Sequence, residues 1–132
     1  MKVAFILRGV PGSGKTELAE LLAENHGAIH STDSYFFQNG IYVYNPALLA
    51  EYHERNFAAF RESLDSGIRM VICDNTNVQR RHYEKYAVAA EKKGYTVIIF
   101  SMKHPDPAVA ARRNVHNVPE SSIRRMIAEW EN

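Results

Sequence analysis

The chain has 132 residues, of which 45% are hydrophobic and 23% are charged, and its formal net charge is +1. This length predicts one domain with its own core, and the balanced charge argues against a non-specific nucleic-acid binder that relies on a basic surface. The single cysteine, Cys73, excludes a disulfide framework within the chain and is expected to be a small buried hydrophobe.

The first apolar run, Val3–Leu7, ends at Arg8 after five residues. This run is too short for a signal-peptide core or a membrane span, and no later segment reaches the necessary length. We therefore expect a cytoplasmic protein without a membrane partner.

Three apolar runs rich in branched and aromatic residues, and a shorter fourth run at Ala28–Ser31, predict β-strands. Their residues are continuous rather than alternating in polarity, which is typical of strands covered on both faces of a sheet. These runs are Val3–Leu7, Ala28–Ser31, Met70–Cys73 and Tyr95–Met102.

Segments with apolar residues at helical spacing lie between and after these runs. They cover Leu18–Leu22, Leu48–Leu64, Tyr83–Ala90 and Ile123–Trp130, the last preceded by Pro119. Strands alternating with helices predict a parallel sheet covered by helices, in one α/β domain over residues 1–132.

The stretch GVPGSGKT separates the first strand from the first helix and fits the phosphate-loop pattern G-x-x-x-x-G-K-[ST]. Its glycines allow backbone N–H groups to face one concavity, and the helix that follows adds its positive end. A glycine-rich turn without a ligand is the alternative, but the flanking strand and helix favour a site for ATP or GTP. The nucleotide-binding residues are predicted to be Gly9, Val10, Pro11, Gly12, Ser13, Gly14, Lys15 and Thr16.

Two aspartates follow predicted strands, at the sheet edge where ligands of such folds bind. Asp33 follows the second strand and Asp74 the third. One carboxylate is suited to order Mg²⁺, directly or through water, and the other to accept the proton of an attacking hydroxyl. The alternative for each is the capping of a helix. Asn77, in the loop after Asp74, is a candidate for substrate contact or for satisfying loop backbone groups.

The stretch YFFQNGIYVY carries Asn39-Gly40 between aromatic and β-branched residues, which predicts a hairpin. Such a hairpin would form a flap over an acceptor, with Tyr35 or Phe36 stacking on a base or sugar. Packing of these rings within the loop is the alternative. Among the histidines, His53 alone is singled out as a possible site residue.

Two pairs of arginines lie near the C-terminus. Arg112 and Arg113 end a short helical segment, where they either close onto donor phosphates or remain solvated cations at a helix end. Arg124 and Arg125 are expected to be surface residues on the polar side of the last helix.

The stretches GVPGSGKT, STDSYFFQNGIYVYN, YHERN, CDNTNVQRR and ARRNVHNVPESSIRRM occur in an order that resembles polynucleotide-kinase-type P-loop kinases. The nearest resemblance is to the small kinase domain of the Nedd-family-ligase-binding polynucleotide kinases and their bacterial and phage relatives. It implies an adenylate-kinase-like three-layer fold with strand order 2-3-1-4 and a helical lid at about 104–118.

The resemblance also implies a role for each site residue. Asp33 is the general base, Lys15 and Arg113 are catalytic, and Arg112 supports Arg113 at the nucleotide. Thr16 and Asp74 hold Mg²⁺, and the donor is ATP.

Departures from the family pattern leave the acceptor open. Ser34 stands where a second acidic residue is common, Phe36 where phage-type enzymes carry a substrate-binding arginine, and His116 and Asn117 where their lid has a second arginine. The fifth strand common in this fold class also has no counterpart. Three functions therefore remain: a kinase acting on a nucleic-acid 5′-hydroxyl, a small-molecule kinase acting on a nucleoside, sugar or antibiotic, and a non-catalytic ATP-binding module.

Overall fold

The computed structural model describes all residues from 1 to 132. Its strands are β1 (Val3–Arg8), β2 (Ala28–His30), β3 (Phe37–Gln38), β4 (Ile41–Tyr42), β5 (Met70–Asp74) and β6 (Thr96–Ser101). Its α-helices are α1 (Lys15–Ala23), α2 (Leu49–Asp65), α3 (Arg80–Lys92), α4 (Pro107–Arg113) and α5 (Glu120–Ala128). Two 3₁₀ helices cover Thr32–Phe36 and Pro46–Leu48.

The main sheet has four strands in the order β2-β5-β1-β6, and all of its neighbouring strands are parallel. Counted along the chain without the short hairpin, this order is 2-3-1-4, as predicted. The register places Leu7 of β1 beside Asp74 of β5. Because parallel strands end at the same edge, the segments after β1, β2 and β5 meet there.

Helices cover both faces of this sheet and form the predicted three layers. On one face, α2 and α3 pack against a core that includes Ile6, Val71 and Cys73. On the other face, α1 packs against Leu7 and Ile72. Burial also raises the pKa of the Cys73 thiol to about 12, so this cysteine is the buried hydrophobe that was predicted.

The prediction that the last strand is covered on both faces is wrong. Ile98, Ile99 and Phe100 of β6 remain 39%, 48% and 46% exposed. The reason is position: β6 lies at the edge of the sheet and pairs only with β1. A continuous apolar run predicts a strand, but it does not distinguish a central strand from an edge strand.

The predicted hairpin is present as the antiparallel pair β3–β4. Asn39 and Gly40 have φ values of 52° and 81° and form the turn. Positive φ at both central residues is the requirement of a type I′ turn, which Asn-Gly meets at low cost. No helix of the chain is long and apolar enough to cross a membrane.

Helix α4 packs directly onto the phosphate loop. A Cβ atom added to Gly12 would lie 2.5 Å from the carbonyl oxygen of Ala110, in the middle of α4. Asn114 then fixes the following loop, since its side chain donates to Val118 O at 3.1 Å and accepts from Val118 N at 2.8 Å. Helix α4 and this loop form most of the predicted lid. The loop, residues 114–119, is called the lid loop below.

Candidate functional site

The phosphate loop joins β1 to α1 in a conformation that only glycine adopts easily at two positions. Gly12 and Gly14 have φ values of 83° and 90°. Gly14 is the N-cap of α1 and provides no capping side chain, so the first N–H groups of the helix lack a side-chain partner. The Ser13 Oγ atom is buried without a hydrogen-bond partner. These features are suited to a bound phosphate, which would accept from both kinds of donor.

Lys15 and Thr16 begin α1 and face the end of β5. Lys15 Nζ lies 2.9 Å from Asp74 Oδ1, and Thr16 Oγ1 donates to Asp74 Oδ2 at 3.3 Å. The side chain of Asp74 is 3% exposed, so its charge is paired rather than solvated. The structure therefore brings together the ammonium, hydroxyl and carboxylate groups predicted for phosphate and metal binding.

The oxygen donors of Thr16 and Asp74 fit Mg²⁺, which prefers hard oxygen ligands. No group of three or more His, Cys, Asp or Glu side chains in the chain is arranged to hold a metal ion. This agrees with the usual Mg²⁺ site of phosphate-loop proteins, in which one or two protein oxygens act together with nucleotide phosphates.

Asp33 lies in the 3₁₀ helix after β2, and its side chain is 45% exposed. Tyr42 Oη of the hairpin donates to Asp33 Oδ1 at 3.4 Å, and His116 Nε2 of the lid loop lies 3.7 Å from Oδ2. The Tyr42 and His116 rings stack with centroids 4.2 Å apart. Asp33 caps no helix: its carboxylate is exposed between the hairpin and the lid loop.

The residue before Asp33 is held firmly by its neighbours. Thr32 N donates to Asn75 Oδ1 at 2.9 Å, which ties β2 to the loop after β5. Thr32 Oγ1 lies 3.0 Å from His53 Nδ1. Burial, with a smaller contribution from Lys85, lowers the pKa of His53, so the imidazole is neutral at pH 7. Asp33 is thus fixed at its backbone while its carboxylate remains accessible.

A cavity of about 420 Å³ opens in front of Asp33. The hairpin, the start of α2, the loop after β5, the lid loop and α5 form its walls. Its lining residues are Pro11, Thr32, Asp33, Tyr42, Tyr44, Leu49, His53, Asn75, Thr76, His116, Asn117, Val118, Pro119, Ser122, Arg125 and Met126. Pro11 belongs to the phosphate loop, so the cavity begins where the nucleotide site ends.

Tyr42 remains a hydrogen-bond donor in this cavity. Burial and, secondarily, the negative charge of Asp33 raise the pKa of its phenol above the ordinary value. The phenol therefore keeps its proton at neutral pH and can donate it in a hydrogen bond to the Asp33 carboxylate.

Three residues that were predicted to contact the substrate do not line this cavity: Tyr35, Phe36 and Asn77. Phe36 is 1% exposed and packs against Tyr42, Tyr44 and Tyr52, so its ring is not available to a substrate. Tyr35 packs against Tyr52, with centroids 5.6 Å apart, and does not line the cavity.

Asn77 is also not a substrate contact in this structure. It is 2% exposed, and its Nδ2 donates to Leu7 O at 2.7 Å. Its φ of 49° allows the loop after β5 to turn back onto β1. Asn75 and Thr76, its neighbours, line the cavity instead.

Arg112 and Arg113 lie in the last turn of α4 and are exposed, with no hydrogen bond or ion pair to the protein. They do not line the cavity in front of Asp33. Arg125 is exposed, as expected, and its side chain also lies at the cavity wall, which His116, Tyr42 and Tyr44 line as well. The hairpin signal pointed to the two tyrosines, whereas no sequence pattern distinguished Arg125 from Arg124.

Comparisons with known proteins agree with this architecture. A family profile described as an AAA domain matches residues 5–131. NEDD4-binding protein 2 of Homo sapiens is 38% identical over 137 aligned residues, which cover 98% of this chain but only 8% of that protein.

Two solved structures share the fold at low sequence identity. A chain of the Pnkp1/Rnl/Hen1 RNA repair complex aligns with a TM-score of 0.72 and 16% identity, over 97% of this chain and 43% of that one. A gluconokinase from Sinorhizobium meliloti 1021 aligns with a TM-score of 0.63 and 20% identity, over 98% of this chain and 75% of that one. The chain therefore belongs to the AAA-domain family of P-loop proteins, which confirms the resemblance to polynucleotide-kinase-type P-loop kinases that its motifs indicated.

Proposed function

We propose that this protein is an ATP-dependent kinase that transfers the γ-phosphoryl group to a hydroxyl, with a nucleic-acid 5′-hydroxyl as the favoured acceptor. One observation carries the proposal: an ion pair between Lys15, at the start of α1, and Asp74, at the end of β5, and a separate, accessible carboxylate, Asp33, lie at the same edge of the sheet. A site that only binds nucleotide does not need an acceptor cavity with a base in it.

In the proposed reaction, Asp33 accepts the proton of the acceptor hydroxyl as the oxygen attacks the γ-phosphorus. The new O–P bond forms while the bond from the γ-phosphorus to the bridging oxygen of ADP breaks. Lys15 and the N–H groups at the start of α1 stabilise the charge of the phosphates. When bound to Thr16 and Asp74, Mg²⁺ would neutralise further phosphate charge.

We assign the segment 104–118 as a lid and Arg113 as its catalytic cation, supported by Arg112. Both guanidiniums are free of protein partners, so neither must break an ion pair to reach a nucleotide. Because α4 approaches Gly12 at Ala110, both arginines follow within one helical turn of the contact with the phosphate loop.

The nucleic-acid acceptor is supported by two relationships. The order of the motifs resembles polynucleotide-kinase-type P-loop kinases, and a chain of the RNA repair complex has the same fold. The cavity wall is also suited to a nucleotide, since the ring of Tyr44 is 52% exposed and offers a stacking surface.

A small-molecule kinase is the second candidate. The hairpin and the lid loop close the cavity to about 420 Å³, which is within the usual size range of a small-molecule site. The structural likeness to a gluconokinase is compatible with such an acceptor.

The test is phosphoryl transfer with Mg²⁺ and γ-labelled ATP. We expect label on 5′-hydroxyl oligonucleotides and none on the same oligonucleotides with a 5′-phosphate. Transfer only to a metabolite in a parallel panel of nucleosides, sugars and antibiotics would replace the nucleic-acid acceptor. If nothing is labelled although Mg-ATP binds, the protein is a nucleotide-binding module and the proposal is wrong.

A further inference from the structure

Strand β6 forms an open edge of the main sheet. It pairs only with β1, and it is twice as long as β2 at the other edge, with six residues against three. The stretch from Tyr95 to Met102 contains neither a charged residue nor a proline, the two residue types that usually protect such an edge. A long apolar edge strand without this protection tends to pair with a strand of another molecule.

The unpaired backbone groups of this edge belong to every second residue. Thr96 N donates to Lys2 O at 2.9 Å and Met102 N donates to Arg8 O at 2.7 Å, so the even-numbered residues of β6 face β1. Because backbone groups alternate sides along a strand, the N–H and C=O groups of the odd-numbered residues point away from the sheet. These residues are Val97, Ile99 and Ser101.

The side chains of β6 add an apolar surface on the face of the sheet that carries α1. The register places Ile98 beside Phe5 and Phe100 beside Leu7, which belongs to the core under α1. Helix α1 lies over β1, β2 and β5, and it leaves Ile98 and Phe100 39% and 46% exposed. A strand that pairs with this edge therefore has to cover apolar side chains as well as satisfy backbone groups.

A second copy of β6 meets both requirements when the two strands run antiparallel about a two-fold axis at Ile99. Val97 then lies opposite Ser101 of the other copy, so the outward N–H and C=O groups of both strands are paired. On the face that carries α1, Ile98 lies opposite Phe100 of the other copy. This is a pair without backbone hydrogen bonds between its members, the kind in which side chains approach most closely.

The charges at the two ends of the strand favour this axis over the neighbouring one. With the axis at Ile98, Lys103 of one copy would lie opposite Lys93 of the other, and like charges directly opposite each other are destabilising. With the axis at Ile99, Lys103 lies opposite Tyr95 instead. The self-pairing of β6 thus has one register in which hydrogen bonds, apolar contacts and charges agree.

We propose that this protein forms a homodimer through antiparallel pairing of β6, with Ile99 on the two-fold axis, so that two four-stranded sheets become one continuous sheet. The pairing is independent of the proposed kinase function, since β6 contributes no residue to the acceptor cavity. Both copies use the same strand, so the association closes at the dimer. Two paired six-residue strands bury less than about 1,200 Å², the range of weak complexes, and we expect a dissociation constant on the order of 100 μM.

Sedimentation velocity from about 10 μM to about 1 mM, a range around the expected constant, measures this equilibrium. Ile99→Lys places two ammonium groups at the axis and should raise the dissociation constant by about 10-fold or more. Ile29→Lys is the matched control, because Ile29 is 38% exposed on β2, the strand at the opposite edge. It should dimerise like the wild type. Circular dichroism and urea denaturation show whether each variant is folded.

Cysteine cross-linking with oxidised glutathione tests the register. In the proposed dimer the Cα atoms of the two Ile99 residues are about 5.5 Å apart, within reach of a disulfide, whereas those of the two Ile98 residues are more than about 7 Å apart. Ile99→Cys should therefore form a disulfide-linked dimer, and Ile98→Cys should form it much more slowly. The wild type controls for Cys73, which is buried. If Ile99→Lys does not fold, this comparison decides.

A monomer at every concentration overturns the proposal, and so does equal weakening of the dimer by Ile99→Lys and Ile29→Lys. Association beyond a dimer would contradict a closed two-fold contact. Faster cross-linking of Ile98→Cys than of Ile99→Cys would overturn the assigned register. None of these outcomes bears on phosphoryl transfer, which is measured at enzyme concentrations far below the expected dissociation constant.

Discussion

Asp33 combines an accessible carboxylate with a fixed backbone, which is the combination that a general base requires. The hydrogen bond from Thr32 N to Asn75 holds the backbone, while Tyr42 and His116 orient the carboxylate. Asp74 has the opposite environment, because it is buried and paired with Lys15. These environments suit the two proposed roles, a proton acceptor for Asp33 and a metal ligand for Asp74.

Replacement of Asp33 should separate chemistry from binding. We expect Asp33→Asn to lower kcat by about 10²–10⁴-fold, the usual size of a general-base loss, with little change in Mg-ATP affinity. Steady-state label transfer and calorimetry with an ATP analogue measure the two effects. Asp65→Asn is the control, since Asp65 is exposed and pairs with Lys93 on the surface. A collapse of ATP affinity in Asp33→Asn would instead assign Asp33 to the metal or to the fold.

At the scale of elements, the phosphate loop and α4, the helix of the proposed lid, are in direct contact. The carbonyl of Ala110 in α4 approaches Gly12 so closely that no side chain fits between them. The phosphate loop and α4 therefore share one interface, and the position of α4 depends on a glycine of the loop.

Alanine at Gly12 tests this contact. Gly94 has nearly the same backbone conformation, with φ values of 82° and 83° for Gly94 and Gly12, but no heavy atom lies within 4 Å of its added Cβ. Gly94→Ala should therefore cost only the left-handed backbone term of about 1–2 kcal/mol. Gly12→Ala should cost more and also weaken binding of the ATP analogue, because α4 or the loop must move. Urea denaturation and calorimetry measure both, and equal losses of stability would show that the contact is unimportant.

At the scale of the whole molecule, Arg8 joins three distant parts of the chain. It is 3% exposed, donates to the carbonyls of Asn77 and Val78, and lies between the rings of Tyr83 and Trp130, 4.9 and 4.4 Å from their centroids. The end of β1, the loop after β5 and the segment after α5 are thereby connected through one guanidinium.

Removing this cation should destabilise the fold. Arg8→Met leaves buried carbonyl groups without donors and should lower the free energy of unfolding by about 2–4 kcal/mol. The Trp130 fluorescence of the variant should also shift to longer wavelength as the ring becomes hydrated. Lys2→Met is the control. Lys2 directly precedes the same strand, β1, and is exposed, so this substitution should change the free energy of unfolding by less than about 0.5 kcal/mol. Similar stabilities of the two variants would contradict the role of Arg8.

The histidines give the molecule a defined pH dependence. Burial lowers the pKa values of His30, His53 and His82 below the ordinary 6.5. These residues are neutral in the folded state, whereas in the unfolded chain they bind protons near pH 6.5. Stability should therefore be fully present above that pH and fall as the pH decreases through and below it.

Urea denaturation at several pH values between 7.5 and 5.5 measures this slope, the range being set around the ordinary histidine pKa of about 6.5. His30→Gln should show a smaller loss on acidification, since it removes one buried imidazole that lies 2.8 Å from Ser63 Oγ. A gain in stability of the wild type on acidification would refute the lowered pKa values of these three histidines.

Short-range sequence patterns were sufficient to predict much of this structure. The phosphate loop, the Asn39-Gly40 turn and the alternation of strands and helices are short-range patterns whose backbone requirements are written in the residues themselves, so they were predicted from sequence. The parallel order of the sheet was predicted through the family resemblance. Asp33 and Asp74 were located as candidates because each follows a strand, and strand ends meet at one edge.

Only the tertiary structure decided which side chains face the cavity. Phe36 and Tyr42 are both aromatic and lie close together in the chain, yet one is buried under the hairpin and the other contacts Asp33. Arg124 and Arg125 are identical and adjacent, yet only the second lines the cavity. The exposure of β6 likewise depends on its position at the sheet edge. Such choices arise from packing between segments far apart in the chain, where the sum of many contacts outweighs the preference of any single residue.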